Sequence, residues 1–318
     1  MPSPFQKPIP PAGSIGRESG VVERIRNLIG VGDTPEIGEI FFGDDAAVLL
    51  APAGKMVVAC TDAAVMGVHL DPRYFGAADL GWRAMAATLS DLAAMGSEPW
   101  RALVTVIAPD TTEVIDAMEG AQAAAQSFGT TIVGGDVSSG SELSVSVTAL
   151  GLSDPNYLTR TAARPGDSIF VTGPLGGSAA GLRYAQSNDT AHPELIDRHA
   201  RPRPRFREGR CAVLAGASAA IDTSDGLGLD LERLCQASGV GGALDLIPVL
   251  DGAQESEALS GGEDYELIMT TSRPEELVRM FQAEGLPSPI RIGLITEGQG
   301  VTFKGEPLKA EGYEHFSH

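Results

Sequence analysis

Two domains of mixed α and β structure are what this chain predicts, on three observations. Its 318 residues exceed the roughly 100 to 200 that make one domain. Stretches with helical spacing of apolar residues alternate with short β-type runs along the whole length. A segment near the middle, Leu152 to Asp167, holds Pro155, Pro165 and Gly166 and little apolar repetition, which suits a boundary. The expected division is a flexible proline-rich arm at 1–13, one domain at 14–155 and a second at 156–318. Hydrophobic residues at 43% and charged residues at 20% match ordinary globular usage and exclude a disordered, collagen-like or coiled-coil chain. No period of 20 to 50 residues recurs, so a solenoid or propeller is excluded too.

The arm is assigned because five prolines in MPSPFQKPIPPAG remove backbone donors and bury little apolar surface. Val21, Val22, Ile25, Leu28 and Ile29 then follow helical spacing, and Gly30 and Gly32 stop the helix. Two β-type runs, Ala46 to Leu50 and Met56 to Thr61, flank a turn with Pro52 and Gly54. From Ala77 to Met95, Ala, Leu and Met sit three and four apart, the pattern of a well-buried helix that Gly96 and Pro99 would end. Arg101 to Ile107 suits a strand, Thr111 to Phe128 a helix, and Ile132 to Val133 a short apolar run. Leu143, Val145, Val147 and Ala149 alternate with polar neighbours as a half-buried strand does.

Beyond the boundary, strands are expected at Ser168 to Thr172, Ala243 to Ile247, Tyr265 to Thr270 and finally Ile290 to Ile295. Helices are expected near Ala179 to Gln186, Arg205 to Ala217, Leu229 to Gln236 and, opened by Ser272 and Pro274, on to Glu284.

Charge narrows the partners. Asp and Glu number 42 against 23 Lys and Arg, a net charge of −19, and a field of that sign repels nucleic acid and anionic lipid. An anionic substrate would need a divalent cation recruited by the acids. No run approaches the roughly 18 apolar residues of a spanning helix, and the N-terminal segment has no apolar signal core, so the cytoplasm is the expected location. Cys60, Cys211 and Cys235 are odd in number and widely spaced, and read as buried thiols.

The acids recur in what read as short turns beside Gly, Ser or Thr: GDDAAV (43–48), CTDAAV (60–65), LSDLAAMG (89–96), GGDVSS (134–139) and IDTSDGLGLD (221–230). Turns aimed at one cleft would build the hard oxygen cage that magnesium prefers. Two bare carboxylates about 4 Å apart repel by about 4 kcal/mol at an effective dielectric of 20, so a converging set calls for a cation. Any one of these aspartates alone suits a helix cap or an Asx turn equally well. TGPLGGSAAG (172–181) reads either as a phosphate cradle at a helix N-terminus or as a structural turn, and has no P-loop Lys. GGEDYEL (261–267) either presents Glu263 or Asp264 to a cleft or enters a hairpin. His69 and Tyr313 could each serve a ligand or simply pack.

In order along residues 17 to 316, GDDAAV, TDAAVMGVH, LSDLAAMG, GGD, LTR, TGPLGGSAAGL, IDTSDGL, SGGEDYEL and GYEHF closely resemble the thiamine-monophosphate kinase family. That family belongs to the superfamily typified by aminoimidazole ribonucleotide synthetase. The resemblance implies an N-terminal domain forming a dimer sheet or barrel and a C-terminal α/β domain completing the site. It implies ATP-dependent phosphorylation of thiamine monophosphate to thiamine diphosphate, the last step of that coenzyme's synthesis, by a homodimer using magnesium. Asp45, Thr61, Asp62, Asp91, Asp136, Asp222 and Asp225 match metal ligands, with Asp44 a lesser candidate. Gly135, Asp136, Arg160 and Ser224 match ATP contacts, and His69, Glu263 and Tyr313 match positions that hold thiamine. Departures from the family pattern fall at Cys60, Ser138, Ser139 and Ala310.

The chemistry so implied is in-line transfer from ATP to a phosphate oxygen already ionised near neutral pH, with no covalent or general-base residue required. Two other readings fit the acidic motifs: another ATP-using enzyme of the superfamily, of the aminoimidazole ribonucleotide or selenophosphate synthetase type, or a non-catalytic divalent-metal binder.

Overall fold

The computed structural model describes residues 18–30, 35–42, 44–189, 191–309 and 312–313, with backbone alone at 18 and 19. The expected arm at 1–13, Gly32, Gly43, Ala310 and the end of the GYEHF motif lie outside the described residues.

The first half runs α1 (Glu18–Ile29), β1 (Met56–Val65), α2 (Ala77–Ala94), β2 (Glu98–Ala108), α3 (Thr111–Phe128), β3 (Thr131–Ser139) and β4 (Ser144–Ser153). Its sheet has the order β1-β4-β2-β3, antiparallel except for β2 and β3. That parallel pair is joined through α3, as parallel neighbours require a crossover. Strand β4 alternates cleanly: Val145, Val147 and Ala149 are buried beneath the helices, while Ser144, Ser146 and Thr148 face the other way. Helices α2 and α3 cover that one face. They cross closely because Gly81 and Gly120 lie at the contact, where a Cβ would come within 1.8 Å of the carbonyl oxygens of Ala117 and Ala78. The opposite face leaves Leu103 and Ile107 of β2 about two-fifths exposed, at 39% and 38%.

The second half contains β5 (Ser168–Val171), α4 (Gly177–Ser187), α5 (Pro193–Ala200), α6 (Phe206–Ala215), β6 (Ala219–Asp222), α7 (Leu227–Ser238), β7 (Gly241–Leu244), α8 (Glu255–Ser260), β8 (Leu267–Thr271), α9 (Pro274–Ala283), β9 (Ile290–Thr296), β10 (Gly300–Phe303) and β11 (Glu306–Pro307). Its sheet has the order β11-β10-β7-β9-β5-β8-β6. Ile169, Val171, Ile221 and Ile268 pack toward α7, whereas Phe170, Ala220, Leu267 and Met269 pack toward α6 and α9. Covered on both faces, its central strands are buried at every position. Helix α2 joins the halves by touching β6, α5 and α6 as well as its own sheet.

Several sequence expectations change. Ala46 to Leu50 forms no strand, only an isolated bridge from Val48 to Ile40. Three supposed turns are regular structure: CTDAAV lies in β1, GGDVSS in β3 and Asp91 inside α2. Pro99 stands within β2, at a register shift opposite β4 that absorbs its missing donor. α5, α8 and β6 were not anticipated, and β9 is not the last strand, since β10 and β11 follow. Of the three cysteines, Cys211 and Cys235 are buried but Cys60 only partly.

Candidate active site

A cleft of about 470 Å³ opens where the two halves meet. β1 supplies Asp62, α2 supplies Arg83, and the turn after β1 supplies His69. The second half contributes Ser224 and Asp225 after β6, Glu263 and Tyr265 before β8, and Tyr313 from the C-terminal segment. Six residues singled out from the sequence, Asp62, His69, Ser224, Asp225, Glu263 and Tyr313, therefore line one cavity.

Asp62, Asp91 and Asp222 form the acidic centre. Asp62 sits on the helix-facing side of β1 with Cys60, whose thiol donates to the Thr88 carbonyl of α2 at 3.1 Å. Asp91 is two turns further along α2 from Ala84, a lining residue of the cleft. Asp222 ends β6, 3% exposed, and its Oδ2 accepts from Ser90 Oγ at 2.6 Å, a bond that ties α2 to the second sheet. Burial raises the carboxyl of Asp91, and the charges of Asp222 and Asp62 raise it further, against the pull of Arg160. Burial likewise raises Asp222, with Ser90 and Arg160 opposing, and raises Asp62. Three desolvated carboxylates, of which Asp62 raises both others and Asp222 raises Asp91, are short of positive charge.

These all-oxygen donors fit magnesium. Among the described residues no three acidic, His or Cys side chains are drawn tightly enough to make a coordination shell alone. Magnesium is usually held by one or two carboxylates with water and substrate phosphate, so the donor set and its charge deficit suit it.

The turn after Asp222 is fixed by a residue the sequence reading passed over. Asp230, fully buried in the first turn of α7, accepts from the backbone N–H groups of Asp225 and Gly226 at 2.8 and 3.0 Å. Burial pushes its carboxyl up to about 7. Arg233 donates to Asp230 at 3.0 Å and also pairs with Asp225, so that Asp225 carries a cation already. Asp230 closes the quoted IDTSDGLGLD motif, and the spacing of an acid near a helix start was the available signal.

Glu263 and Tyr265 stand in the left-handed region at φ 57° and 51°. Backbone strain of this kind is held in place by its surroundings. Here Glu263 N–H donates to Ser224 O at 2.8 Å and Tyr265 N–H to Thr223 O at 3.1 Å, docking the two loops together. Tyr313 N–H donates to Asp225 O at 3.2 Å, which brings its half-exposed ring to the same loop. His69 Nδ1 accepts from Val65 N–H at 3.0 Å, so in the neutral ring the proton resides on Nε2.

The TGPLGGSAAG segment is resolved as a structural turn in this state. Asp264 occupies the N-terminus of α4, its carboxylate accepting from Gly176 N at 2.6 Å and Ser178 N at 3.0 Å. Burial pushes Asp264 up to about 6 against those two bonds. Of the two readings of GGEDYEL, Glu263 lines the cleft, whereas no hairpin forms among the described residues, since β8 pairs with β5 and β6; Asp264 instead caps a helix.

Other sequence-selected residues lie apart. Thr61 faces the opposite side of β1 from Asp62, its hydroxyl donating to Val147 O at 3.0 Å and accepting from Thr148 at 3.2 Å. Asp136 pairs with Thr105 across β2 and β3 and is exposed on that same uncovered face. Gly135 has a packing reason: a Cβ there would lie 1.8 Å from Val104 O. Asp44 and Asp45 are exposed, linked to each other by the Asp45 N–H bond to Asp44 Oδ1 at 2.9 Å, and neither lines the cleft.

Two linked α/β halves with a carboxylate-rich cleft at their junction define a protein of the AIR synthase-related class. Residues 43–153 match the N-terminal domain of AIR synthase related proteins, and residues 164–306 match their C-terminal domain. The chain is 36% identical over 302 residues to the thiamine-monophosphate kinase of Rhodopirellula baltica, covering 86% of this chain and 90% of that one. The crystal structure of thiamine-monophosphate kinase from Stenotrophomonas maltophilia K279a aligns with a TM-score of 0.79 at 34% identity, over 91% of this chain and 96% of that one. AaThiL complexed with AMPPCP and TMP aligns with a TM-score of 0.75 at 29% identity, over 95% and 97%. The chain belongs to the thiamine-monophosphate kinase family.

Proposed function

We infer that the protein transfers the γ-phosphoryl group of ATP to thiamine monophosphate, giving thiamine diphosphate and ADP. The observation that carries this reading is the convergence of Asp62, Asp91 and Asp222, from both halves of the fold, beside a cleft that also holds His69, Glu263 and Tyr313. A relative complexed with AMPPCP and TMP supports the same pair of substrates.

Asp62, Asp91 and Asp222 would hold magnesium, and Asp225, paired with Arg233 in this structure, joins them through the family resemblance. Bound there, the metal supplies positive charge to the phosphates of both substrates. The protein's own residues orient the reactants. Arg160, close enough to act on Asp91 and Asp222, and Ser224 at the cleft wall serve the nucleotide. His69 offers an N–H donor, Glu263 a carboxylate and Tyr313 a ring face to the thiamine heterocycles. Because an ionised phosphate oxygen attacks, positioning and charge neutralisation suffice.

Asp45, Thr61, Asp136 and Gly135 belong to this reading through the family resemblance, in a homodimer built on the uncovered face of the first sheet. The exposed Val57, Leu103 and Ile107 on that face support it. No helix among the described residues is long and apolar enough to cross a membrane, and a cytoplasmic enzyme is the corresponding reading. Incubation with ATP, magnesium and thiamine monophosphate tests the activity: thiamine diphosphate and ADP should appear in equal amounts, and ADP without thiamine diphosphate would overturn it.

A further inference from the structure

Arg83 is a costly residue for its place. It lies on α2 between Leu80, Ala84 and Met85, each with no exposed surface, and is itself 1% exposed. Burying a guanidinium costs several kcal/mol, whereas Leu or Met would fill an apolar helix face without that penalty. Its Nε and Nη1 have no hydrogen-bond partner among the described residues. Among the described residues the one carboxylate it meets is Glu263, to which Nη2 donates at 2.9 Å.

The surroundings direct that single bond. His199 Nδ1 lies 3.5 Å from Arg83 Nη2 and 3.0 Å from Ser178 Oγ, backing the guanidinium from the α4 and α5 side. Glu263 sits on the left-handed loop docked to Ser224, and its carboxylate, a quarter exposed at 25%, belongs to the cleft wall. Asp225 and Asp264 both act on it with like charge, and Arg83 is the cation that offsets them. Without a fixed partner, a carboxylate crowded by two others would swing away from them.

We propose that Arg83 is a positioning residue for substrate recognition, whose guanidinium holds the Glu263 carboxylate in one direction at the cleft wall so that it meets the amino-bearing, cationic heterocycles of thiamine monophosphate. This rests on the substrate reading given above and adds to it a residue that acts through Glu263. A role exercised through Glu263 alone predicts an effect confined to one substrate.

The test combines binding and kinetics on full-length protein: wild type, R83K, R83Q, E263Q and the double variants. Calorimetric titration with thiamine monophosphate alone measures affinity, and steady-state rates give KM for each substrate. R83Q should weaken thiamine monophosphate about tenfold and move KM for ATP less than about twofold, with R83K recovering most of the loss. In the E263Q background the Arg83 substitutions should have almost no further effect, because the pair acts as a unit. Independent, multiplying effects of the two positions, or equal effects on both substrates, overturn the proposal. Should R83Q not fold, R83M, which fills the apolar helix face without a charge, takes its place in the cycle with E263Q and decides by the same criterion. Wild type that binds no thiamine monophosphate overturns the substrate reading and this proposal together. Binding by wild type without coupling between the positions overturns this proposal alone.

Discussion

Asp91 and His199 show how differently burial acts on an acid and a base. Asp91 is desolvated beside two like charges, which raises its carboxyl, so Asp91→Asn removes a repulsive group. Turnover at saturating magnesium should fall at least about a hundredfold while the melting temperature holds or rises. Undiminished kcat would remove Asp91 from the metal set. His199, 2% exposed, is held neutral, its pKa lowered to about 2 by burial first and by Arg83 second. A depressed folded-state pKa gives stability that is fully present above the unfolded value near 6.5 and lost as pH falls toward 2, at about 1.4 kcal/mol per unit. Asp230 and Asp264, raised to about 7 and about 6, act with the opposite sign, losing stability as pH rises from about 4 to those values. The measurement is therefore differential. Lowering the pH from about 7.5 to 5 should raise the urea midpoint more in His199→Gln than in wild type, because the opposing loss from the imidazole is gone, and an unchanged difference would show that the imidazole is protonated in the fold. At this scale the sequence spelled out the aspartates, because motif order marks them. Arg83, Ser90 and Arg233 carried no such mark: their roles depend on partners 180, 132 and 8 residues away.

At the scale of elements, α2 is the member most sensitive to substitution, since it packs on the first sheet, on α3 and on β6 at once. Gly81→Ala would drive a methyl to 1.8 Å from Ala117 O, against backbone that has no rotamer to change. Separation of α2 from α3 would cost about 3 kcal/mol, read as a lower urea midpoint with unchanged slope. A loss under about 1 kcal/mol would mean that the two helices separate at little cost. Legibility followed local signals. α3 could be read to its ends, because Asp110 accepts from Thr112 and Glu113 N–H groups and Gly129 adopts φ 74°. β3 could not: Gly134, Gly135 and two serines suggest a turn, and only its pairing with β2 makes them a strand. α5 is eight residues opened by Pro193, and β6 is four buried residues, too short for either period to register.

Across the whole molecule, a net charge of −19 combines with a concentration of carboxylates where the halves meet. α2 and β6 are joined there by the Ser90 to Asp222 bond, while Asp62, Asp91 and Asp222 repel. The junction is thus built around a charge deficit, and a divalent cation bound to the folded state alone should stabilise it by mass action. Chelation with excess EDTA should abolish turnover yet leave far-UV circular dichroism nearly unchanged, because the three apolar cores are buried by side chains that need no cation to pack. Adding magnesium back should restore turnover and raise the melting temperature, by about 2–4 °C for each kcal/mol of binding energy. In Asp91→Asn the same titration should give a smaller rise. A melting temperature indifferent to magnesium in wild type, together with turnover that survives EDTA, would mean that these carboxylates meet for some reason other than holding a cation.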